Sequence, residues 1–165
     1  MNILQFNPNR KNYKILNKVL SSDFCKDAKV DVSIIKKIKI TFIFFKKKNE
    51  ILGICGLYVS KYKTNELFIA VEKKYRNKGI GKKLMKKLIG FCEKKKIYFF
   101  IQTINNKTYL PALNLYKSLG YNKCFCIDNK IILMKKNYPF LIVFYRIIFF
   151  YYSSLKFLIK KKFIK

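Results

Sequence analysis

Between Val71 and Met85 the chain reads Val71-Glu72-Lys73-Lys74-Tyr75-Arg76-Asn77-Lys78-Gly79-Ile80-Gly81-Lys82-Lys83-Leu84-Met85, an apolar strand end, two glycines and the opening of an amphipathic helix. Glycines at 79 and 81 let the main chain come close to a ligand. The first amides of the helix that follows have no acceptor inside it and point outward as donors. A helix start of this kind binds phosphate. Lys78, Lys82 and Lys83 add positive charge at the same place, although each taken singly reads equally well as a solvated lysine. Two phosphate signatures fail here. A dinucleotide fingerprint needs a third glycine where Leu84 stands, and a P-loop needs glycine at Arg76 with serine or threonine at Lys83.

The rest of the composition narrows the chemistry. The 165 residues contain no His, which removes Ser-His-Asp and Cys-His catalysis and His-based zinc sites. The eight carboxylates are scattered, without the close pair that glycoside hydrolysis or a carboxylate metal site uses. No metal site is expected. The net charge is +29, from 37 Lys plus Arg against 8 Asp plus Glu, and only Arg10, Arg76 and Arg146 are arginines. Two readings of that surplus stand side by side: biased coding, since Lys accompanies many Asn, Ile, Phe and Tyr, and attraction to polyanions or anionic lipid. Scarcity of Arg, the residue that reads guanine in a bidentate way, argues against sequence-specific nucleic-acid recognition. The five cysteines include no C-x-x-C pair and read as reduced, small core hydrophobes of a cytoplasmic protein. Met1–Gln5 lacks the basic and apolar regions of a secretory signal.

These residues need a scaffold, and a hydrophobic fraction of 51% over this length is enough for one domain with a real core. Periodicity predicts a short strand at Ile3–Phe6, a helix carrying Ile15, Leu16, Val19 and Leu20 on one face, and a second short helix within 21–37. Strands follow at Ile38–Phe45 and Ile51–Ser60, joined by a hairpin through Lys46–Glu50, and then at Glu66–Val71. A helix runs from Gly79 to about Lys95 with Ile80, Leu84, Leu88 and Phe91 inward. Ile97–Ile104 reads as a central strand buried on both faces. A further helix starts near Pro111 and stops at Gly120, before strands Tyr121–Ile127 and Ile131–Lys136 joined at Asp128-Asn129. The fold class expected is α/β (α+β), a single domain over 1–136.

In full spacing, Arg76-x-x-Gly79-x-Gly81 after the strand Leu67–Val71 resembles the acetyl-CoA signature of the GNAT superfamily of acyl-CoA-dependent N-acyltransferases. A second segment, Ala112-Leu113-Asn114-Leu115-Tyr116-Lys117-Ser118-Leu119-Gly120-Tyr121, is similar to that family's Leu-Tyr helix followed by Gly-aromatic. The resemblance covers about residues 1–136, and 51–136 carry most of it. It implies a central mixed, mostly antiparallel sheet flanked by helices, with acetyl-CoA as acyl-donor substrate. By position, the main chain of Ile69, Ala70 and Val71, with Ile69 and Val71 foremost, would pair with the pantetheine arm. Arg76, Asn77, Lys78, Gly79, Ile80, Gly81 and Lys82 would hold the pyrophosphate through backbone amides. A Gly81→Val change is then expected to abolish CoA binding and leave the fold. Tyr116 matches the tyrosine that protonates the departing thiolate; its other reading is a core aromatic. Many relatives carry a Glu on the fifth strand, where this chain has Gln102, so Glu66 is the remaining candidate base, against a structural role. Tyr109 stands where an Asn is common.

The implied reaction is acetyl transfer to a primary amine, whether a protein N-terminus, a lysine or a small molecule, by direct attack on the thioester. The competing reading is a CoA-binding protein of weak activity attached to a membrane or polyanion. Residues 137–165 form an apolar, aromatic tail with a basic flank at Lys160-Lys161-Lys162. About a dozen apolar residues at roughly −0.5 kcal/mol each are largely offset by Arg146 at about +3 kcal/mol and by the polar positions. A membrane-associated helix and a helix folded on the domain both fit that balance. A cytoplasmic protein, monomer or homodimer, with the tail as its route to a membrane, is the expectation.

Overall fold

The computed structural model describes residues 2–6, 10–28, 30, 32–45, 50–60, 63–104, 106–127, 130–135, 138–139, 141–144 and 147–148. The expected turns at 46–49 and 128–129, and 151–165 of the tail, lie outside the described residues. Among the described residues up to 135, seven strands and four α-helices follow the predicted order: β1 (Asn2–Phe6), α1 (Arg10–Leu20), α2 (Asp23–Asp27), β2 (Ile38–Phe45), β3 (Ile51–Val59), β4 (Asn65–Val71), α3 (Ile80–Lys94), β5 (Ile101–Ile104), α4 (Leu110–Ser118), β6 (Tyr121–Ile127) and β7 (Lys130–Lys135). Short 3-10 segments at Val32–Lys37, Lys73–Tyr75 and Lys107–Tyr109 fill three connections.

The strands form two antiparallel sheets, ordered β1-β2-β3-β4 and β5-β7-β6. The first has helices on both faces, which is why β2 and β3 read as nearly unbroken apolar runs. On one face Leu16, Val19 and Leu20 of α1 and Phe24 of α2 meet Ile43, Ile54, Phe68 and Ala70. On the other, Ile80, Leu84, Met85, Leu88 and Cys92 of α3 meet Phe42, Phe44, Leu52, Leu57 and Leu67, and this core continues through Tyr116 and Tyr121 into Ile131 and Leu133. Where β2, β3 and β4 are most crowded, a side chain is impossible: a Cβ on Gly56 would sit 2.2 Å from the Ile40 carbonyl oxygen and 2.7 Å from the Phe68 ring.

One strand is shorter than its sequence suggests. The apolar run from Ile97 yields ladder pairing only from Ile101. Lys96, in the left-handed region at φ 51°, ends the helix, and the Ile97 N–H closes on the Cys92 carbonyl at 2.8 Å. Residues 97–100 are then held by other partners than a strand ladder. α4 meets expectation at both ends, with Pro111 in its first turn and Gly120 at φ 84° just beyond it.

The cysteine expectation holds for three of five: Cys25, Cys55 and Cys92 are buried, Cys124 is half-buried and Cys126 exposed. Burial pushes the thiol of Cys25 up to about 11 and that of Cys92 up to about 12, and raises that of Cys55. A raised thiol stabilises the fold fully below the unfolded value of about 8.5, and that contribution is lost as pH climbs through 11 and 12. Brief iodoacetamide treatment of the native protein, read by mass spectrometry, should label Cys126 first and Cys124 more slowly; the other three should react only after denaturant or alkaline unfolding.

Candidate active site

The two sheets meet at Phe100. Its N–H donates to the Asn65 carbonyl and its own carbonyl accepts from the Leu67 N–H, both at 3.0 Å, as one parallel bridge opposite Glu66. The Asn65 side-chain amide adds a bond to the Tyr98 carbonyl at 2.9 Å. Beyond this point β5 turns away to pair with β7, while β4 continues along β3 to Val71. The strands part and leave one edge of β4 open.

Alternation along β4 decides what that edge offers. Asn65 and Leu67 turn their main-chain groups toward β5, so Ile69 and Val71 turn theirs into the opening, while Glu66, Phe68 and Ala70 face β3. Of the three strand positions read from sequence, Ile69 and Val71 therefore reach the gap. Ala70 does not: its main chain belongs to the β3 ladder and its side chain is buried between the sheet and α2. The Val71 carbonyl is already taken by the Arg76 side chain, whose Nε donates to it at 3.0 Å.

From Val71 the chain passes through the 3-10 turn Lys73–Tyr75 into the glycine segment. Arg76 braces this loop, since besides Val71 its guanidinium meets the Asp27 carboxylate at the end of α2 at 3.5 Å. Tyr75 is a second brace, donating its hydroxyl to Glu50 Oε1 at 2.9 Å, with Lys74 on the same carboxylate at 3.2 Å. The Lys78 ammonium lies 5.3 Å from the Tyr75 ring centroid. Asn77 and Gly79 both adopt left-handed backbone, at φ 62° and 76°. Lys83 makes the first helical bond, to the Gly79 carbonyl at 3.0 Å, so the amides of Ile80, Gly81 and Lys82 lie ahead of the ladder. They are donors at the positive end of a 15-residue helix.

The two glycines serve different ends. A Cβ on Gly79 would meet nothing within 4 Å, whereas one on Gly81 would lie 3.3 Å from Leu115 of α4 and 3.8 Å from Ile69 and Val71. Gly81 thus permits close packing of α3 on β4 and α4, and a β-branched side chain there would press on Leu115.

Tyr116 and Glu66 sit on opposite faces of the sheet. Tyr116 is buried in the core beneath α3, and burial first, then nearby Cys55, raises its phenol above the usual range. Glu66 is 2% exposed on the α1–α2 side, where the Tyr58 hydroxyl donates to its Oε2 at 3.0 Å. Gln102 pairs with Ile132 in the second sheet. Tyr58, Tyr75 and the bracing role of Arg76 were not singled out in the sequence. Their partners lie far along the chain or in a neighbouring element, and only Tyr75, an aromatic among lysines, carries a local signal.

The acetyltransferase (GNAT) domain family matches residues 39–123. Among solved structures, a GNAT-family protein from Desulfovibrio desulfuricans superposes with a TM-score of 0.60 at 16% identity, over 80% of this chain and 97% of that one. An IAA acetyltransferase from Bacillus cereus gives 0.55 at 20% identity, over 81% and 97%. A GNAT-family acetyltransferase from Staphylococcus aureus gives 0.57 at 21%, over 81% and 98%. No curated protein matches the sequence.

The glycine geometry makes a prediction that separates ligand from fold. Forcing a side chain into left-handed backbone costs about 1–2 kcal/mol, so Gly79→Val should rotate the loop amides away and weaken CoA binding roughly tenfold or more in calorimetry. With nothing within 4 Å of the new Cβ, the fall in melting temperature should be confined to that strain, about 2–4 °C per kcal/mol. Gly81→Val, which presses on Leu115, should lower both.

Proposed function

Because the chain belongs to the GNAT acetyltransferase family, we propose that it transfers acetyl from acetyl-CoA to a primary amine by direct attack. The observation that carries the reading is continuity: the open edge of β4 at Ile69 and Val71 runs into the braced loop and then into the free amides of Ile80, Gly81 and Lys82. A pantetheine arm pairing with the edge would lead its pyrophosphate to the helix start, where the turn Arg76–Gly79 and Lys82 surround it.

In the proposed reaction the neutral amine attacks the thioester carbonyl, a C–N bond forms, and the Ile69 N–H donates to the developing oxyanion. The C–S bond then breaks, and the Tyr116 hydroxyl gives its proton to the departing thiolate. Its raised phenol suits this task, because it stays protonated where an ordinary tyrosine would ionise. Glu66 takes the proton lost by the attacking nitrogen, from the α1–α2 side of the sheet, with Tyr58 orienting its carboxylate. The acceptor reaches the gap from that side. The absence of His and the neutral state of the buried cysteines support direct transfer over an acyl-enzyme.

Release of free thiol from acetyl-CoA with a panel of amines, including peptide N-termini, lysine and small amines, tests the reading. Tyr116→Phe should lower kcat by about 10²-fold with little change in KM for acetyl-CoA. In the wild-type enzyme kcat should not fall as pH passes about 10, where a free phenol ionises. Glu66→Gln, which keeps an acceptor for Tyr58, should lower kcat/KM in the same assay. No thiol release with any amine, together with CoA and lipid-vesicle binding, would favour the competing CoA-binding, membrane-associated protein.

A further inference from the structure

We infer that the chain docks on an anionic lipid bilayer through the apolar segment that follows β7 and the lysines beside it. Among the described residues six large apolar side chains are exposed, and three of them lie within one short stretch: Leu141 at 77%, Phe144 at 47% and Ile148 at 50%. The other three, Leu4, Ile15 and Leu110, are scattered over β1, α1 and α4. Residues 141–144 and 147–148 are helical, and a spacing of three and four is that of one helical face. Single exposed apolar residues are ordinary on a protein surface, whereas grouped ones mark a contact.

The segment is fixed to the domain where it begins. The Tyr138 hydroxyl donates to the Phe99 carbonyl at 2.8 Å, and its ring stands edge to face with Tyr98 and Phe100 at 5.2 and 6.0 Å. Its N–H donates to the Lys135 carbonyl at 3.3 Å. Pro139 follows, its carbonyl accepting from the Ile142 N–H at 3.0 Å. Tyr138 also shares a cavity wall with Glu93 and Lys96, so the apolar stripe starts from a set point at the C-terminal end of α3.

Charge decides what covers it. Lys94, Lys95 and Lys96 are exposed at that end, and Glu93 is taken by Lys135 at 2.7 Å. Residues 129–165 contain no Asp or Glu. Apolar side chains next to clustered lysines suit an interface with anionic headgroups, where each lysine near the surface adds attraction. A second copy of a chain of net charge +29 would be repelled from the same face. Among the described residues no helix is long and apolar enough to cross a membrane, and the docking is along the surface.

The surface does not depend on the acyl-transfer reading. In flotation, the full-length protein should rise with vesicles of equimolar phosphatidylcholine and phosphatidylserine, stay down with phosphatidylcholine alone, and bind less as salt rises. The chain has no Trp, so Leu141→Trp supplies one indole at the stripe, and its emission should move to the blue when the anionic vesicles are added. Leu141→Ser with Ile148→Ser should weaken binding about tenfold or more without changing the charge. Lys94→Gln with Lys95→Gln should weaken it about tenfold, and both variants should melt as wild type does. No flotation with the anionic vesicles would overturn the proposal. So would equal binding by the serine variant, which would mean charge alone, or a dimer whose indole is already blue without lipid, which would mean a second copy on the face.

Discussion

Everything that the candidate site offers follows from two hydrogen bonds, those of the Phe100 main chain to Asn65 and Leu67. They hold β4 and β5 together for one bridge and then let them go. Had the pairing run further, the main-chain groups of Ile69 would be spent in a ladder, and the sheet would present no unpaired edge. Had there been no bridge, nothing in the ladders would set the distance between the two sheets. The clamp is reinforced from both sides, by Asn65 on Tyr98 and by Tyr138 on Phe99. Local stiffness at the junction is what makes an opening of fixed width beside it.

The same economy appears at the loop. A +29 protein could hold an anion with many lysines, yet the features with directional content are backbone amides and two left-handed residues. Lysine brings charge that salt and water screen at an exposed surface, whereas an amide at a helix start is fixed in direction by the helix itself. Arg76 shows the difference: its guanidinium is committed to Val71 and Asp27, and it therefore sets the course of the loop. Tyr75 on Glu50 does the same from the other flank. Among the described residues the ion-paired lysines are Lys26, Lys74 and Lys135.

What could be read from the sequence divides along a physical line. Gly79, Pro111 and Gly120 announce backbone states that few other residues tolerate, so the ends of α3 and α4 were legible to within a residue. The inward faces of α1 and α3 were legible for a similar reason, because helical periodicity is a local property. Pairing partners are not local. Ile97–Phe100 is as apolar as a buried strand, but among the described residues the ladder with β7 begins only at Ile101, opposite Leu133, and Phe100 bridges to Glu66 instead. Whether Ile69 or Ala70 faces the opening depends on which edge of β4 is vacant, a fact held by β3 and Phe100 and absent from residues 65–71 themselves. Gly79 and Gly81 look alike in the motif, and what separates them is the left-handed backbone of the first and the approach of Leu115, Ile69 and Val71 to the second.

The placement of Tyr116 and Glu66 on opposite faces of β4 constrains the chemistry more than either residue does alone. In the proposed reaction the proton donor for the leaving group and the proton acceptor for the nucleophile lie on different sides, and the sheet holds them apart. Strand alternation supplies the separation without further machinery: even positions of β4 look toward α1 and α2, odd positions toward α3 and α4. Tyr116 rises from α4 into the second compartment, while Glu66 lies in the first. An acyl-enzyme would instead need an ionised nucleophile near the gap, and burial keeps Cys55, the thiol paired across from Ile69, neutral. For the proposed reaction, this supports a single displacement over an acyl-enzyme.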